Sequence, residues 1–304
     1  MLRKSNTVPK FLVTGSNGQV GFELRRSLAP LGEVIALDRA ACDLTQPDML
    51  RQMVREYRPD VIVNSAAYTA VDKAESDADT AFAVNSTAVG VLAEESRALG
   101  GLLVHYSTDY VFDGTKDGLY VETDQTNPQS VYGKSKLAGE QAITASGASA
   151  LVLRTCWVAG AHGGNFAKTM LKLGQERESL RVVVDQFGAP TTATLIADVT
   201  AQIIARWWLT ADRAAFPSGT YHLAAGGETT WHGYATELLR YAAARGVAFK
   251  VDPAAITAIP ATEYPLPAPR PTNSRLDTSK LRETFSLHLP DWRQGIHFLL
   301  DQII

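Results

Sequence analysis

The chain has 304 residues, of which 45% are hydrophobic and 20% charged, a balance typical of a globular protein with one large domain or two modest ones. A net charge of -3 gives no electrostatic reason to expect nucleic acid or an anionic membrane as a partner. The two cysteines, Cys42 and Cys156, do not have the spacing of metal ligands and indicate buried thiols in a reducing compartment.

The first half of the chain alternates short apolar runs with longer helical patterns. Strands are predicted at FLVTG (11–15), VIALD (34–38), VIVNSAA (61–67), LLVHYST (102–108) and LVLRTCWV (151–158). Helices are predicted between them, at residues 19–32, 46–57 and 78–99, and from VYGKSKLAGE (131–140) onward. Near-continuous Val, Ile and Leu runs indicate strands buried on both faces, so we predict an α/β fold, a Rossmann-like doubly wound parallel sheet.

The second half is less regular and predicts a smaller C-terminal lobe. Strands are predicted within LRVVVDQFGAPT (180–191) and at TYHLA (220–224), and helices at VTAQIIARWWL (199–209) and WHGYATELLRYAAARG (231–246). Five prolines within residues 260–271 predict a stiff, extended loop, because proline is excluded from helix and sheet interiors.

A glycine-rich turn, GSNGQVG (15–21), joins the first predicted strand to the first predicted helix. Gly15 permits a sharp turn, Gly18 lets the backbone approach a pyrophosphate, and Gly21 lets the helix pack against the sheet. The helix N-terminus then offers its N–H groups to the phosphates. Three further residues of this turn join the predicted cofactor site: Asn17, Gln19 and Val20. We therefore predict a dinucleotide-binding domain at residues 1–155, rejoined by residues 180–215, and a mainly substrate-binding lobe at 156–304.

Charged residues near the second strand bear on which dinucleotide is bound. Asp38 ends that strand, where an acid bonds the adenosine ribose hydroxyls of NAD. Arg39 follows directly and is suited to the 2′-phosphate of NADP, so both NADH and NADPH are expected. Asp43, next to Leu44, either contacts the adenine edge or caps the following helix.

Tyr132 and Lys136 stand four residues apart on a predicted helix and therefore share one face. An ammonium and a cationic nicotinamide beside a phenol lower its pKa, which lets tyrosine give a proton to a carbonyl oxygen while a nicotinamide delivers hydride. Ser107 and Thr108 end a predicted strand, where a hydroxyl reaches the same oxygen. The Tyr–Lys spacing occurs by chance on many helices, but its combination with the glycine turn and these hydroxyls predicts a reductase site.

These motifs resemble the extended short-chain dehydrogenase/reductase family, and the resemblance covers nearly the whole chain. The matching segments are FLVTGSNGQVG (11–21), VIVNSAAYTAVDKAESD (61–77), STDYVFDG (107–114), VYGKSKLAGE (131–140), LRTCWVAG (153–160), DQFGAPT (185–191) and RPTNSRLD (270–277). Within that family the likeness is to the members that reduce the 4-keto group of dTDP-4-dehydro-β-L-rhamnose with NADPH or NADH. It therefore implies a dTDP-sugar substrate and a role in dTDP-rhamnose biosynthesis for cell-surface polysaccharide.

The resemblance also implies roles for individual residues. By this likeness Tyr132 is the general acid, Lys136 holds the nicotinamide ribose and lowers the tyrosine pKa, and Thr108 bonds the reacting oxygen. Three residues after the third strand lie along the cofactor: Ala66, Ala67 and Tyr68. The positions matching the sugar site are Asp109, Tyr110, Trp157, Asn165 and Phe166, although turn capping or core packing also explains the first three.

The phosphates of a nucleotide-sugar require cations or N–H donors in the second lobe. Arg270 in the proline-rich loop is the candidate for the substrate site, with Lys168 as a second candidate. Arg154 lies nearer the sheet and is interpreted as either a phosphate contact or a buried ion-pair partner.

The chain departs from the family at a metal site. Some members are described as dimers bridged by Mg²⁺, held by carboxylates that include a Glu shortly after GAPT; here Thr194 stands at that place. Glu23 alone is a poor magnesium site and is interpreted as an exposed helix residue, so no metal is predicted. The predicted assembly is a monomer or a homodimer.

Two other functions remain open from the sequence. One is a different nucleotide-sugar 4-ketoreductase or epimerase, for example one that forms the other C4 configuration. The other is a non-catalytic regulatory subunit like the methionine adenosyltransferase β subunit, although the intact Tyr132, Lys136 and Thr108 argue against it. The N-terminal apolar run is too short for a signal peptide and no window approaches the ~18 apolar residues of a membrane span, so we expect a cytoplasmic protein without a membrane partner.

Overall fold

The structure is a computed structural model and describes residues 8–304. Residues 1–7, on which part of the signal-peptide prediction depends, lie outside this range. Along the described chain the strands are β1 (Lys10–Thr14), β2 (Glu33–Leu37), β3 (Val61–Asn64), β4 (Leu102–Thr108), β5 (Ala150–Thr155), β6 (Val158–Ala159), β7 (Arg181–Val183), β8 (Phe187–Gly188), β9 (Thr191–Thr192), β10 (Gly219–His222), β11 (Thr229–Thr230) and β12 (Thr257–Ile259).

Helices connect these strands throughout the chain. They are α1 (Gln19–Leu28), α2 (Pro47–Tyr57), α3 (Val71–Ala74), α4 (Ala78–Phe82), α5 (Ala88–Ala98), α6 (Val131–Ser146), α7 (Phe166–Glu176), α8 (Ala193–Ile203), α9 (Trp231–Ala244), α10 (Ser279–Phe285) and α11 (Trp292–Ile303). Two π-helical segments, Ala83–Thr87 and Ile204–Leu209, join α4 to α5 and extend α8. No helix within residues 8–304 is long and apolar enough to cross a membrane.

A six-stranded sheet in the order β10-β5-β4-β3-β1-β2 forms the centre of the fold, and every neighbouring pair in it is parallel. Successive side chains of β1 face opposite sides: Phe11 and Val13 pack with α1, α8 and α10, whereas Leu12 packs with α2, α5 and α6. The sheet is therefore covered by helices on both faces, which confirms the predicted doubly wound α/β fold.

The second lobe has its own apolar cluster, formed mainly by α7, α9 and α11. Its strand pairs are short: β7 with β12, β8 with β11, and β6 with β9. Because α8 and β10 pack with the central sheet, the chain returns to the first core after entering this lobe. The domain boundaries given above stay a prediction.

Several element boundaries differ from the predicted ones. β3 ends at Asn64 rather than Ala67, and the predicted strand 151–158 is divided between β5 and β6. The predicted helix 78–99 contains the π-helical turn Ala83–Thr87, and α8 begins at Ala193 rather than residue 199. In the proline-rich loop only Ala261–Glu263 forms regular structure, one 3₁₀ turn.

Candidate active site

The glycine turn adopts the conformation that its spacing predicts. Gly15 has φ 67°, in the left-handed region that favours glycine, and a Cβ there would lie 2.7 Å from the backbone of Ala66. A Cβ at Gly21 would lie 2.1 Å from the carbonyl oxygen of Gly15. The turn therefore brings the N-terminus of α1, where the first N–H groups of a helix lack intrahelical partners, close against the ends of β1 and β3.

A groove with a volume of ≈ 670 Å³ runs along the carboxyl ends of the strands. Its lining includes most of the predicted cofactor residues: Gly15, Gly18, Gln19, Val20, Arg39, Asp43, Leu44, Ala66, Ala67, Tyr68, Tyr132 and Lys136. Asn17 and Asp38 line a smaller cavity that shares Gly15, Gly18 and Arg39 with this groove. The volume of the groove lies within the range of ligand pockets. Because the two cavities share lining residues, they form one continuous surface that joins the two ends of the predicted dinucleotide site.

The chemistry of the groove fits a dinucleotide. Ser107 and Thr155 both line it, and within the described residues their buried hydroxyl oxygens have no hydrogen-bond partner. Both hydroxyls are therefore available to hydrogen-bond a polar ligand in the groove. The glycine turn provides N–H groups for phosphates at the other end of the same groove.

Asp38 and Asp43 are both held by local hydrogen bonds. The Asp38 carboxylate accepts hydrogen bonds from Asn17 Nδ2 at 3.0 Å and from the backbone N–H of Ala41 at 2.9 Å. Asp43 accepts from the backbone N–H and the hydroxyl of Thr45, and these bonds lower its pKa. Asp43 thus forms a turn before α2 while still lining the groove, so its two predicted roles are compatible.

Helix α6 carries Tyr132 and Lys136 into the groove. The helix begins at its N-cap Ser130, whose hydroxyl accepts a hydrogen bond from the backbone N–H of Gly133 at 3.1 Å. Tyr132 is hydrogen-bonded to Thr108 at the end of β4. Lys136 is buried and donates to the carbonyl oxygen of Tyr106 at 2.6 Å. The structure thus brings together the three residues predicted to be catalytic.

Burial sets the pKa values of this group. It raises the pKa of Tyr132 to about 12, with the bond to Thr108 acting in the opposite direction, and it lowers the pKa of Lys136 to about 8. In the protein alone the phenol is therefore protonated at neutral pH and the amine is largely charged. The expected lowering of the Tyr132 pKa by Lys136 is not present in this structure and stays a prediction.

A second cavity, with a volume of ≈ 600 Å³, opens toward the C-terminal lobe and is lined by Tyr110, Trp157, Phe166 and Arg270. Trp157 stacks on Trp231 with ring centroids 3.7 Å apart, and its backbone has φ 48°, an uncommon value for a bulky residue. The Tyr110 ring meets the Tyr132 ring edge-on, with centroids 5.5 Å apart, so the two cavities adjoin at the predicted acid. The predicted sugar-contacting aromatics thus share one wall.

Other predicted substrate residues lie behind these cavities rather than on their walls. Asp109 is buried and accepts hydrogen bonds from Ser274 at 2.5 Å and Thr108 at 3.1 Å, and burial raises its pKa to about 6. Asn165 caps α7 and donates to the side chain of Gln19 at 2.9 Å. Lys168 donates to the carbonyl oxygens of Ala161 and Gly163. In this structure these three residues order the site instead of facing it.

Several residues of the site were missed by the sequence reasoning. Those that line the cavities are Thr155, Arg177, Arg181 and Trp231, and two more support the walls. Asn85, in the π-helical turn, accepts from the backbone N–H of Tyr68 at 2.9 Å and donates to Ser135 of α6 at 3.0 Å, which fixes the loop beside the groove. Asp72 of α3 pairs with Arg270 at 2.7 Å. The sequence carries no signal for either residue, because the π-helical turn that holds Asn85 and the distant partner of Asp72 are visible only in the folded chain.

The interpretation of Glu23 as an exposed residue is wrong. Its accessible surface is 7%, and its carboxylate accepts a hydrogen bond from Arg26 at 3.1 Å. Arg26 also binds Asp198 of α8 at 2.8 Å, so Glu23 belongs to a charge cluster between α1 and α8. Within residues 8–304 no group of three or more His, Cys, Asp or Glu side chains is arranged to hold a metal ion.

Chelation is expected to leave the activity of the enzyme unchanged. The reason is that Glu23 and Asp198 already pair with Arg26, and position 194 is a threonine rather than an acid. The measurement is turnover before and after EDTA treatment followed by gel filtration, with an EDTA-inactivated magnesium enzyme as a control. A loss of turnover that added Mg²⁺ restores would contradict the expectation.

Comparison with known proteins identifies close relatives of this chain. A family model described as the RmlD substrate binding domain matches residues 9–304. The chain is 51% identical over 287 residues to a dTDP-4-dehydrorhamnose reductase of Burkholderia thailandensis, covering 94% of this chain and 96% of the relative. It is 47% identical over 296 residues to the dTDP-4-dehydrorhamnose reductase of Escherichia coli K12, covering 96% and 97%. The crystal structure of dTDP-4-dehydrorhamnose reductase from Bacillus anthracis in complex with NADP superimposes with a TM-score of 0.88 at 32% identity, covering 97% of this chain and 100% of that one.

Proposed function

The chain belongs to the RmlD substrate binding domain family, and from this premise we propose that it reduces the 4-keto group of dTDP-4-dehydro-β-L-rhamnose to form dTDP-L-rhamnose. It acts as an NAD(P)H-dependent oxidoreductase of dTDP-rhamnose biosynthesis in the cytoplasm. The observation that carries the proposal is that Tyr132 and Lys136 line the cofactor groove where it adjoins an aromatic second cavity, with buried Thr108 directly behind Tyr132. Relatives at 47% and 51% identity bear the name of this activity, which supports the assignment.

In this proposal the side chains of the chain supply the proton and the orientation. The bound nicotinamide supplies a hydride to the carbonyl carbon. Tyr132 donates its proton to the carbonyl oxygen, and its raised pKa keeps the phenol protonated until then. The Thr108 hydroxyl hydrogen-bonds both the phenol and the reacting oxygen and so keeps them aligned for proton transfer. Lys136 stabilises the phenolate left after proton transfer, because its ammonium lies one helical turn away.

The second cavity is proposed to hold the nucleotide-sugar. Stacked Trp157 and Trp231 present a rigid aromatic surface beside Phe166, which suits a sugar ring or a pyrimidine base. Three guanidinium groups line the same cavity: Arg177, Arg181 and Arg270. Two of them already pair with carboxylates, Arg181 with Glu263 and Arg270 with Asp72. A diphosphate in this cavity would compete with those carboxylates for Arg181 and Arg270.

The decisive experiment is an NADPH-oxidation assay with dTDP-4-dehydro-β-L-rhamnose, followed by identification of the product configuration at C4. Oxidation of one NADPH per molecule of dTDP-L-rhamnose is expected. A product with the other C4 configuration, or oxidation only with a different nucleotide-activated keto-sugar, would assign the chain to another ketoreductase or epimerase. Failure to oxidise NADPH with any keto-sugar would favour a regulatory subunit.

The enzyme is expected to use both NADH and NADPH, with values of kcat/KM that differ by less than about 100-fold. Asp38 suits the free ribose hydroxyls of NADH, whereas exposed Arg39 suits the 2′-phosphate of NADPH. Steady-state assays of Arg39→Gln should show a lower kcat/KM with NADPH and little change with NADH. An equal loss with both cofactors would contradict this role of Arg39.

A further inference from the structure

A row of buried polar side chains crosses the sheet behind Lys136. Thr14 Oγ1 lies 2.6 Å from Asn64 Oδ1, and Asn64 Nδ2 lies 3.0 Å from His105 Nδ1. His105 Nε2 lies 3.2 Å from Lys136 Nζ. The first three residues are register partners on β1, β3 and β4, and none of the four exposes more than 1% of its surface. Most polar groups buried this deeply in proteins have a hydrogen-bond partner, so the row is expected to be internally satisfied.

The protonation states in this row are linked to one another. An ammonium has three N–H donors and no acceptor, so a charged Lys136 requires an unprotonated Nε2 on His105. A neutral imidazole then carries its proton on Nδ1 and donates it to the amide oxygen of Asn64, which leaves the NH₂ of Asn64 for Thr14. In the structure the Asn64 oxygen faces Thr14 and its nitrogen faces His105 Nδ1, so this arrangement requires the amide to be turned by half a rotation. The contact distances allow that turn because the oxygen and nitrogen of an amide have nearly the same size.

Burial favours this arrangement of protons. It holds the pKa of His105 well below its usual range, and Lys136 acts in the same direction, so the imidazole is neutral throughout the physiological range. Lys136, with a pKa of about 8, is still charged at neutral pH. A neutral imidazole beside an ammonium can only be an acceptor at Nε2.

We propose that His105 is the residue that positions Lys136. In its Nδ1–H tautomer, His105 accepts one N–H of the ammonium at Nε2, and the carbonyl oxygen of Tyr106 accepts a second. The third N–H then points into the groove. The role of the third N–H in binding the nicotinamide ribose rests on the proposed function. The tautomer of His105 does not depend on it. These two parts of the proposal can therefore fail separately.

The other charged groups near Lys136 do not supply this orientation. Tyr132 and Glu140 lie one turn away on either side along α6, and Glu140 is held by Arg154 of β5 at 2.6 Å and 2.9 Å. From β1 and β3 the neighbouring polar groups are the neutral side chains of Thr14 and Asn64. Only His105 presents an acceptor side chain to the ammonium within hydrogen-bond distance in the described chain.

The tautomer can be observed without cofactor or substrate. In the ¹⁵N-histidine spectrum of the free protein, we expect two imidazoles with a protonated Nδ1 and a bare Nε2 that do not titrate between pH 5 and 9. One is His105; the other is His222, whose Nδ1 donates to the carbonyl oxygen of Asp277 at 3.1 Å. His105→Gln should abolish one of the two signals and His222→Gln the other, which assigns them. A proton on Nε2, or titration near the usual value of ~6.5, would overturn the proposal.

Two substitutions separate the two sides of the imidazole. Asn places its amide near the position of Nδ1 and so keeps the bond to Asn64, whereas Gln reaches the position of Nε2 and keeps the acceptor for Lys136. Loss of the acceptor destabilises the ammonium, so His105→Asn should move the alkaline limb of kcat downward by about one pH unit. His105→Gln should move it by less than half as much. An equal shift of the alkaline limb in both variants, or no shift in His105→Asn, would contradict the positioning role of His105. If His105→Asn does not fold, the tautomer measurement decides.

Discussion

Replacing Tyr132 by Phe is expected to lower kcat by about 10²–10⁴-fold, the usual contribution of a positioned general acid. The substitution removes one oxygen from a partly buried ring whose edge-on contact with Tyr110 is kept, so the fold and the groove should persist. The proton must then come from water, which is less well positioned than the phenol. Turnover is measured by NADPH oxidation at saturating substrate, alongside NADPH affinity from fluorescence.

Tyr241→Phe provides the matched control for this variant. Tyr241 lies on α9, where its ring stacks on His297 and its hydroxyl donates to Asp301, outside both cavities. It should retain the turnover of the unmodified enzyme. A Tyr132→Phe enzyme that retains both turnover and its pH dependence would show that another group donates the proton.

Breaking the buried ion pair between α6 and β5 is expected to cost about 3–5 kcal/mol in the free energy of unfolding. Arg154 donates two hydrogen bonds to Glu140, at 2.9 Å and 2.6 Å, and both side chains are almost fully buried, which confirms the ion-pair interpretation of Arg154. Arg154→Met leaves the Glu140 carboxylate in the interior without its cation. Urea denaturation followed by circular dichroism measures the loss.

The double variant Arg154→Met with Glu140→Leu separates charge from packing. Because it removes both buried charges, it should recover most of the stability lost in Arg154→Met. A single variant that loses less than about 1 kcal/mol would indicate that water reaches Glu140, and would contradict the burial of the pair. Since Glu140 lies one turn beyond Lys136, a folded Arg154→Met protein is also expected to show weaker NADPH binding.

The central sheet was predictable because its signals are local. Residues 11–15 and 102–108 are apolar runs that read as strands by themselves, and the glycine spacing at 15–21 describes one turn. Parallel strands bring their carboxyl ends to one edge, so Tyr132 and Thr108 were expected to meet. The small lobe was less predictable, because β7 and β12 are only three residues each and lie more than 70 residues apart.

The errors in the site have the same origin. Glu23 was interpreted as exposed because helix patterning does not show that α8 packs on α1 and brings Asp198 within reach of Arg26. Asp109 follows a strand end and matched a position on the sugar, yet Ser274, far along the chain, encloses its carboxylate. Local sequence predicts where a strand lies, but the contacts of a side chain depend on how segments distant in sequence pack against it.

The position of β10 at one end of the sheet has a consequence for synthesis on the ribosome. β5 pairs with β4 on one side and with β10 on the other, but Gly219–His222 are made long after Thr155. At the usual 5–20 residues per second this delay lasts about 3–13 s. During that time the nascent chain has every strand that supports Tyr132 and Lys136, with the free N–H and C=O groups of β5 still open to other chains. Slower translation between residues 155 and 219 therefore lengthens the time during which this strand edge is exposed.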